Sequence, residues 1–110
     1  MEIISTKENK SYGIKFEAKE DKKLFGWAYL YIMYNDLHEE PFGFLENVFV
    51  KEEHRGKGIG KKLIENVINE AKRHNCYKLV GTSRYERSEV HAMYIKIGFK
   101  DYGKEFRMDF

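Results

Sequence analysis

The first half of the chain alternates between apolar and polar residues in the way that β-strands do. One alternating run has its apolar positions at Tyr12, Ile14, Phe16 and Ala18. It predicts a strand with one buried face, followed by a polar turn at 20–23. The run 24–34 is almost entirely apolar or aromatic, which predicts a central strand buried on both faces. The run 43–50 predicts the next strand, antiparallel to it across a loop that contains Pro41.

From Ile59 onward the apolar period changes from that of a strand to that of a helix. The apolar positions are Ile59, Leu63, Ile64, Val67, Ile68 and Ala71. They share one face of a helix, which we expect to end near Asn75 because asparagine tolerates left-handed backbone geometry. The run 77–82 predicts a short strand. Since a helix separates it from strand 43–50, the two strands should be parallel neighbours.

A second helix and two further strands are predicted to complete the domain. The helix has its apolar face at Val90, Met93, Tyr94 and Ile97, and Gly98 is placed to cap its end. Short strands are expected at 99–102 and 105–110. The predicted fold is therefore a mixed α+β domain over residues 1–110, with a mostly antiparallel sheet, one parallel strand pair and two main helices.

Composition and charge narrow the class of protein. The chain has 110 residues, with 20 basic and 18 acidic side chains and a net charge of +2. This balance gives no general attraction to nucleic acid or to anionic membranes, and we expect neither as a partner. The single cysteine, Cys76, suits a reducing compartment, so we expect a cytoplasmic protein. No apolar run is long enough to cross a membrane, and the amino terminus does not resemble a signal peptide.

A glycine-rich turn between strand 43–50 and the following helix is the strongest functional signal. Its glycines are Gly56, Gly58 and Gly60, and its basic residues are Arg55, Lys57, Lys61 and Lys62. Glycine lets a ligand approach the backbone closely. The first amides of the next helix lack partners, and the helix dipole places partial positive charge there. The turn therefore predicts a phosphate-binding pocket.

Three phosphate-binding motifs compete to explain these glycines. A nucleotide-hydrolysing P-loop needs Ser or Thr after Gly-Lys, but Lys62 follows Gly60-Lys61. A dinucleotide fingerprint needs GxGxxG directly after its strand, whereas five residues separate Val50 from this turn. The remaining pattern is Arg/Gln-x-x-Gly-x-Gly/Ala after an apolar strand, and the segment 55–60 matches it in full.

A second motif occurs at the end of the second helix. The segment Ala92-Met93-Tyr94-Ile95-Lys96-Ile97-Gly98-Phe99 resembles the Leu-Tyr-x-Lys-x-Gly-Phe helix end of the GCN5-related N-acetyltransferase (GNAT) superfamily. Together with the glycine turn, it identifies residues 24 to 110 as similar to that superfamily. The usual pair of amino-terminal helices is missing, because the stretch between Ile4 and Tyr12 is too short for one ordinary helix. The chain thus resembles a minimal member.

The resemblance implies acetyl-CoA as the acyl donor. Its pyrophosphate would lie on the turn, and its pantetheine arm would pair with the end of strand 43–50, where that strand splays away from strand 77–82. The implied cofactor-binding residues are Val48, Phe49, Val50, Arg55, Gly56, Lys57, Gly58, Ile59, Gly60 and Lys61.

The resemblance also implies roles for two side chains. Tyr94 occupies the place of the family's general acid, which protonates the CoA sulfur. Glu46 is the candidate base, as an acid within an otherwise apolar strand, where partial burial would raise its pKa. The alternative is that Glu46 points to solvent from a half-exposed strand. Some members carry their base two residues earlier, where this chain has Phe44. The asparagine that the family often has before its second helix is replaced by Arg87, which we interpret, like Arg84, as a solvated residue at a helix start.

Two functions remain open on the sequence. One is an N-acetyltransferase that acts on a primary amine, and the other is a CoA-binding sensor or interaction module without catalysis. The short amino-terminal part should leave the acceptor side open or completed by a second subunit, so the chain could be a monomer or a homodimer. An open site favours a large acceptor such as a protein lysine or N-terminus. The four histidines show no metal-ligand spacing, and we expect no metal.

Overall fold

Four strands form one sheet in the order β1-β2-β3-β4, in a computed structural model that describes all 110 residues. The strands are β1 (Tyr12–Glu20), β2 (Lys23–Met33), β3 (Phe42–Val50) and β4 (Leu79–Gly81). The helices are α1 (Ile59–Arg73) and α2 (Ser88–Ile97), and a single 3-10 turn spans Glu52–His54.

The strand directions agree with the sequence pattern. β1 and β2 form an antiparallel hairpin, whose turn places Asp21 and Lys22 in left-handed geometry with φ of 49° and 66°. β2 and β3 are also antiparallel. β3 and β4 are parallel, because the helical crossover of α1 returns the chain to the same end of the sheet. The predicted mixed α+β fold with one parallel strand pair is confirmed.

The core lies between one face of the sheet and α1. Its eight side chains are at most 5% exposed and come equally from the sheet and the helix. They are Ala28, Leu30, Ile32 and Leu45 from the sheet and Leu63, Ile64, Val67 and Ala71 from α1. The helical period of the sequence therefore identified the buried face of α1. The helix ends at Arg73, and Asn75 adopts φ 61°, close to the predicted end.

The opposite face of the sheet is covered by no helix. α1 packs on the core side, and α2 lies beside it across a cleft lined by Ile68 and Ile97. We call the uncovered surface the open face. Its central residues are Trp27, Tyr29, Tyr31, Phe44, Glu46 and Phe49. The prediction that strand 24–34 is buried on both faces is wrong, because the aromatic rings of its second face pack on one another rather than under a helix.

The strands predicted at 99–102 and 105–110 are not formed. Phe99 is held at the end of α2, where its N–H donates to the Tyr94 carbonyl oxygen at 2.9 Å. Beyond it the chain has no regular structure, and Tyr102, Phe106 and Phe110 are at least 89% exposed. The apolar alternation at 106–110 is genuine, but a strand also needs a partner edge. The first eleven residues likewise contain no helix or strand.

One pair of substitutions tests where the core lies. Ile64→Ala removes a side chain that is fully buried, so we expect a loss of about 2–5 kcal/mol in the free energy of unfolding, measured with urea. Ile95→Ala removes the same atoms from a residue that is 53% exposed on α2, and it should cost under about 1 kcal/mol. Equal losses at the two positions would contradict this assignment of the core.

Candidate active site

A gap opens in the sheet where β3 and β4 stop pairing. β4 pairs only with the first half of β3, through Gly43–Leu45 and Leu79–Gly81. Beyond Leu45, β3 continues to Val50 with no strand on that side. The backbone groups along this free edge are available to an extended ligand, which can add to a sheet edge as a further strand does.

A β-bulge at Asn47 bends β3 at the start of the gap. On β2 the pairing steps from Tyr29 to Trp27, while on β3 it steps from Glu46 to Phe49, so β3 carries one extra residue. Asn47 absorbs this residue with φ 51°. Because bulges bend a strand and increase its twist, this one turns the end of β3 away from β4. Val48 and Val50 face the core side, whereas Phe49 lies on the open face.

The glycine turn joins the end of β3 to α1 and presents free amides. Gly56 and Gly58 both have φ 79°, a geometry that glycine adopts without strain, and nothing lies within 4 Å of where their Cβ atoms would be. Gly58 is the N-cap of α1, and Lys62 N–H makes the first helical bond to its carbonyl oxygen at 3.1 Å. The amides of Ile59, Gly60 and Lys61 therefore lack helical partners.

The start of α1 is not neutralised by a cap or by an acid of its own first turn. α1 has no side-chain cap and no acidic residue in its first turn, although both are common devices at such ends. The positive end of the helix dipole is thus left for an anion.

The basic residues of the turn have different surroundings. Arg55 donates from Nε to the Val50 carbonyl oxygen at 2.9 Å, and its guanidinium lies 5.6 Å from the centre of the Phe49 ring. It therefore fixes the turn to the end of β3. Lys61 forms a loose ion pair with Glu65 at 3.9 Å, while Lys57 is exposed and has no charged partner within 4.0 Å.

Tyr94 projects from α2 towards the first half of the gap. Its Cε2 atom lies 3.6 Å from where a Cβ of Gly81 would be, and its ring centre is 5.1 Å from that of Phe99. Burial raises the pKa of Tyr94 above its ordinary value of 10.0, and the charge of Glu46 raises it further. The phenol, which is protonated at neutral pH even at its ordinary pKa, therefore keeps its proton to a still higher pH.

Glu46 lies on the open face, where it pairs with Tyr29 of β2 and is the first residue of β3 without a partner on β4. Its side chain is exposed, as in the solvent-facing alternative that the sequence left open. The two residues that the sequence nominated for acid–base chemistry are nevertheless close enough for the charge of Glu46 to act on Tyr94. Phe44 lies on the same face two residues earlier, and its side chain has no ionisable group.

Known proteins share this sequence pattern and this fold. The acetyltransferase (GNAT) family model matches residues 2–99. The chain belongs to the GNAT family. An aminoglycoside N(6')-acetyltransferase type 1 of Stenotrophomonas maltophilia is 31% identical over 67 residues, and the glucosamine 6-phosphate N-acetyltransferase of Trypanosoma brucei brucei is 34% identical over 67 residues. Each match covers 61% of this chain but only 44% of the relative. The matched part is therefore less than half of each relative's length.

Among solved structures, the GNAT chain resembles a putative acetyltransferase from Agrobacterium tumefaciens. The TM-score is 0.83 at 32% identity, over 88% of this chain and 68% of the other.

Two buried polar atoms near the site were not anticipated from the sequence. Ser83 Oγ and His54 Nδ1 are both buried without a hydrogen-bond partner. Ser83 follows β4 by two residues, on the side of the gap across from β3, and a polar residue just after a parallel strand is a signal that sequence reading can use. His54 precedes the glycine turn and stacks on Phe25 with ring centres 4.0 Å apart.

Other residues considered from the sequence lie outside the gap. Arg84 and Arg87 are exposed at the start of α2, as interpreted, and the Arg84 carbonyl oxygen accepts a bond from His91 Nε2 at 2.7 Å. Burial raises the pKa of the Cys76 thiol, which makes it a poor nucleophile at neutral pH. The structure contains no group of three or more His, Cys, Asp or Glu side chains arranged to hold a metal ion, and none of its helices is long and apolar enough to cross a membrane.

The raised pKa of Tyr94 predicts a loss of stability at alkaline pH. The unfolded chain releases this proton near pH 10, whereas the folded chain holds it to a higher pH. The contribution is complete below pH 10 and falls by ~1.4 kcal/mol per pH unit as pH rises towards the folded pKa. Urea unfolding between pH 9 and 11 should show a shallower decline for Tyr94→Phe than for the unaltered chain. Tyr85→Phe, at a residue 83% exposed, should leave the slope unchanged, and an unchanged slope for Tyr94→Phe would contradict the assignment.

Proposed function

We propose that this protein transfers the acetyl group of acetyl-CoA to a primary amine. The observation that carries the proposal is the continuous path from the free edge of β3 to the glycine turn, with Tyr94 beside it. Support also comes from the family and from the relatives, whose names describe acetyl transfer to an amino sugar or an aminoglycoside.

The path matches the shape and charge of the donor. The pyrophosphate would accept hydrogen bonds from the free amides between Gly56 and Lys61, with Lys57 contributing charge. The pantetheine arm would run along the free edge of Val48 to Val50, where its amide groups can pair with the backbone. Ser83 Oγ, which is buried without a partner and follows β4, would donate a hydrogen bond to this arm.

The chemistry requires one bond to form and one to break. The amine must first lose a proton, because an alkyl ammonium has no free electron pair to attack with. Glu46, directly or through a water molecule, would accept that proton. The neutral nitrogen then attacks the thioester carbonyl carbon, the C–S bond breaks to release the CoA thiolate, and the nitrogen loses its second proton to solvent to leave the neutral amide.

Tyr94 would donate its proton to the departing sulfur and recover one from solvent. With its pKa raised above the ordinary value, Tyr94 is protonated throughout the neutral range. The proton is therefore available whenever acetyl-CoA is bound. A backbone N–H of β3 in the gap would polarise the carbonyl, since charge builds on that oxygen as the amine attacks.

Substitution of Tyr94 tests the chemical step. Tyr94→Phe removes only the hydroxyl, so kcat should fall by about 10²-fold or more, the range for loss of a general acid. Affinity for acetyl-CoA, measured by calorimetry, should stay within about twofold. Thiol release with an acceptor panel gives kcat, and Tyr85→Phe is the matched control. Binding of acetyl-CoA without turnover on any acceptor would instead favour a CoA-binding module.

Substitution in the glycine turn tests the donor site separately. Gly58→Ala places a Cβ at φ 79°, which costs about 1–2 kcal/mol and disturbs the amides at the helix start. We expect acetyl-CoA to raise the melting temperature of the unaltered chain, and to raise that of Gly58→Ala by less at the same ligand concentration. Gly103→Ala, at an exposed glycine without positive φ, is the control. The absence of any shift with acetyl-CoA or CoA for the unaltered chain would refute the donor assignment.

A further inference from the structure

The aromatic rings of the open face surround Glu46. Tyr29 lies directly across from Glu46 on the neighbouring strand, and Trp27 lies across from Phe49. The Trp27 and Phe49 rings stack with centres 4.8 Å apart. Phe44 and Phe49 flank Glu46 on its own strand. A carboxylate is thus placed among ring faces, each of which attracts cations through its quadrupole.

Cations of the protein itself already lie on these rings. The Lys15 ammonium is 5.7 Å from the centre of the Trp27 ring and 5.8 Å from that of Tyr29. The Arg55 guanidinium lies 5.6 Å from the Phe49 ring on the same face. Lys15 projects from β1, where its register partner is Tyr29. A tetramethylene chain ending in an ammonium therefore fits this surface, because one is seated there.

We propose that Trp27, Tyr29 and Glu46 form the acceptor site and select an unbranched alkyl ammonium, with Lys15 as a built-in competitor. This inference rests on the proposed acetyl transfer. An ammonium over Tyr29 lies beside Glu46, since the Cβ atoms of directly opposed strand residues are ~5 Å apart. The group that must lose a proton is thereby delivered to the candidate base.

The surface discriminates against heavily hydroxylated amines. A hydroxyl group that leaves water must find a new hydrogen-bond partner or lose free energy. Around Glu46 the rings of Trp27, Phe44 and Phe49 offer a single N–H and no acceptor, so only the Tyr29 hydroxyl and Glu46 itself could accept hydrogen bonds from a hydroxylated amine. A methylene chain needs no such partner and gains from burial against the rings. A free diamine and a lysine side chain share this chemistry.

Lys15 and Lys19 form a matched pair for testing competition. Both are exposed lysines of β1, and both contact Glu17, at 3.6 Å and 3.5 Å. Only Lys15 lies over the rings. Lys15→Ala and Lys19→Ala change the net charge equally. A difference in amine affinity between the two variants is therefore due to removal of the Lys15 ammonium from the rings.

The chain provides its own reporter, since Trp27 is its only tryptophan. Fluorescence of Trp27 can be titrated with cadaverine, Nα-acetyl-lysine amide, kanamycin and glucosamine 6-phosphate, with no acetyl-CoA present. We expect both alkyl amines to change the emission at lower concentration than the two sugars. Lys15→Ala should tighten cadaverine binding by about two- to fivefold, and Lys19→Ala should not. Tyr29→Leu should weaken cadaverine binding by a similar factor. Its melting temperature is measured to show that the variant is folded.

Several outcomes would overturn the inference. One is a Trp27 emission that neither alkyl amine changes, and another is tighter binding of either sugar than of the alkyl amines. Equal effects of Lys15→Ala and Lys19→Ala on cadaverine binding would also contradict it. So would a Trp27 emission that depends on protein concentration, because a second copy of the chain would then cover the open face. A preference between cadaverine and the lysine derivative supports the inference and identifies the source of the ammonium. Because the titration needs no turnover, amine binding without acetyl transfer would separate failure of the proposed reaction from failure of this site.

Discussion

The loss of pairing between β3 and β4 after Leu45 is the constraint on which the rest of the site depends. A sheet is held together by its ladder of hydrogen bonds, and an unpaired edge inside a sheet would ordinarily cost stability. Here the cost is limited because Val48 and Val50, on the unpaired part of β3, still pack against the core, and the start of α1 lies beside Val50. The same divergence frees the edge of β3, exposes Glu46 and leaves room for Tyr94.

Two glycines allow the strands to hold this shape. A Cβ on Gly26 would lie 2.4 Å from the Phe49 carbonyl oxygen, so only glycine lets β2 pair again with β3 beyond the bulge. A Cβ on Gly43 would lie 2.9 Å from Leu79 Cδ1 and 3.0 Å from Leu30 Cδ1. Gly43 therefore lets the first paired residues of β3 and β4 approach the core closely. The gap opens between these two tight contacts.

Sequence reasoning succeeded where the determining contacts are local. The period of α1, the glycine turn and the cap at Gly98 all depend on neighbours within a few residues. It failed where distant partners decide, since the apolar run of β2 is the same whether or not a helix covers Trp27 and Tyr29. The apolar alternation from Phe106 to Phe110 likewise does not show which strand, if any, this segment would pair with. The bulge at Asn47 was missed, although a residue tolerant of left-handed geometry within an apolar strand was a usable signal.

The gap also explains how an acid and a base on opposite sides of a sheet could serve one reaction. Tyr94 approaches Gly81 on the side of Leu45, which faces the core, whereas Glu46 lies on the open face. In a continuous sheet the backbone would separate the two groups. Where β4 has ended, only the ligand would lie between them, and the pKa of Tyr94 already responds to the charge of Glu46. In the proposed chemistry the gap therefore has two uses. It gives the pantetheine arm of acetyl-CoA room to bind, and it lets Glu46 and Tyr94 reach the amine and the sulfur from opposite faces of the sheet.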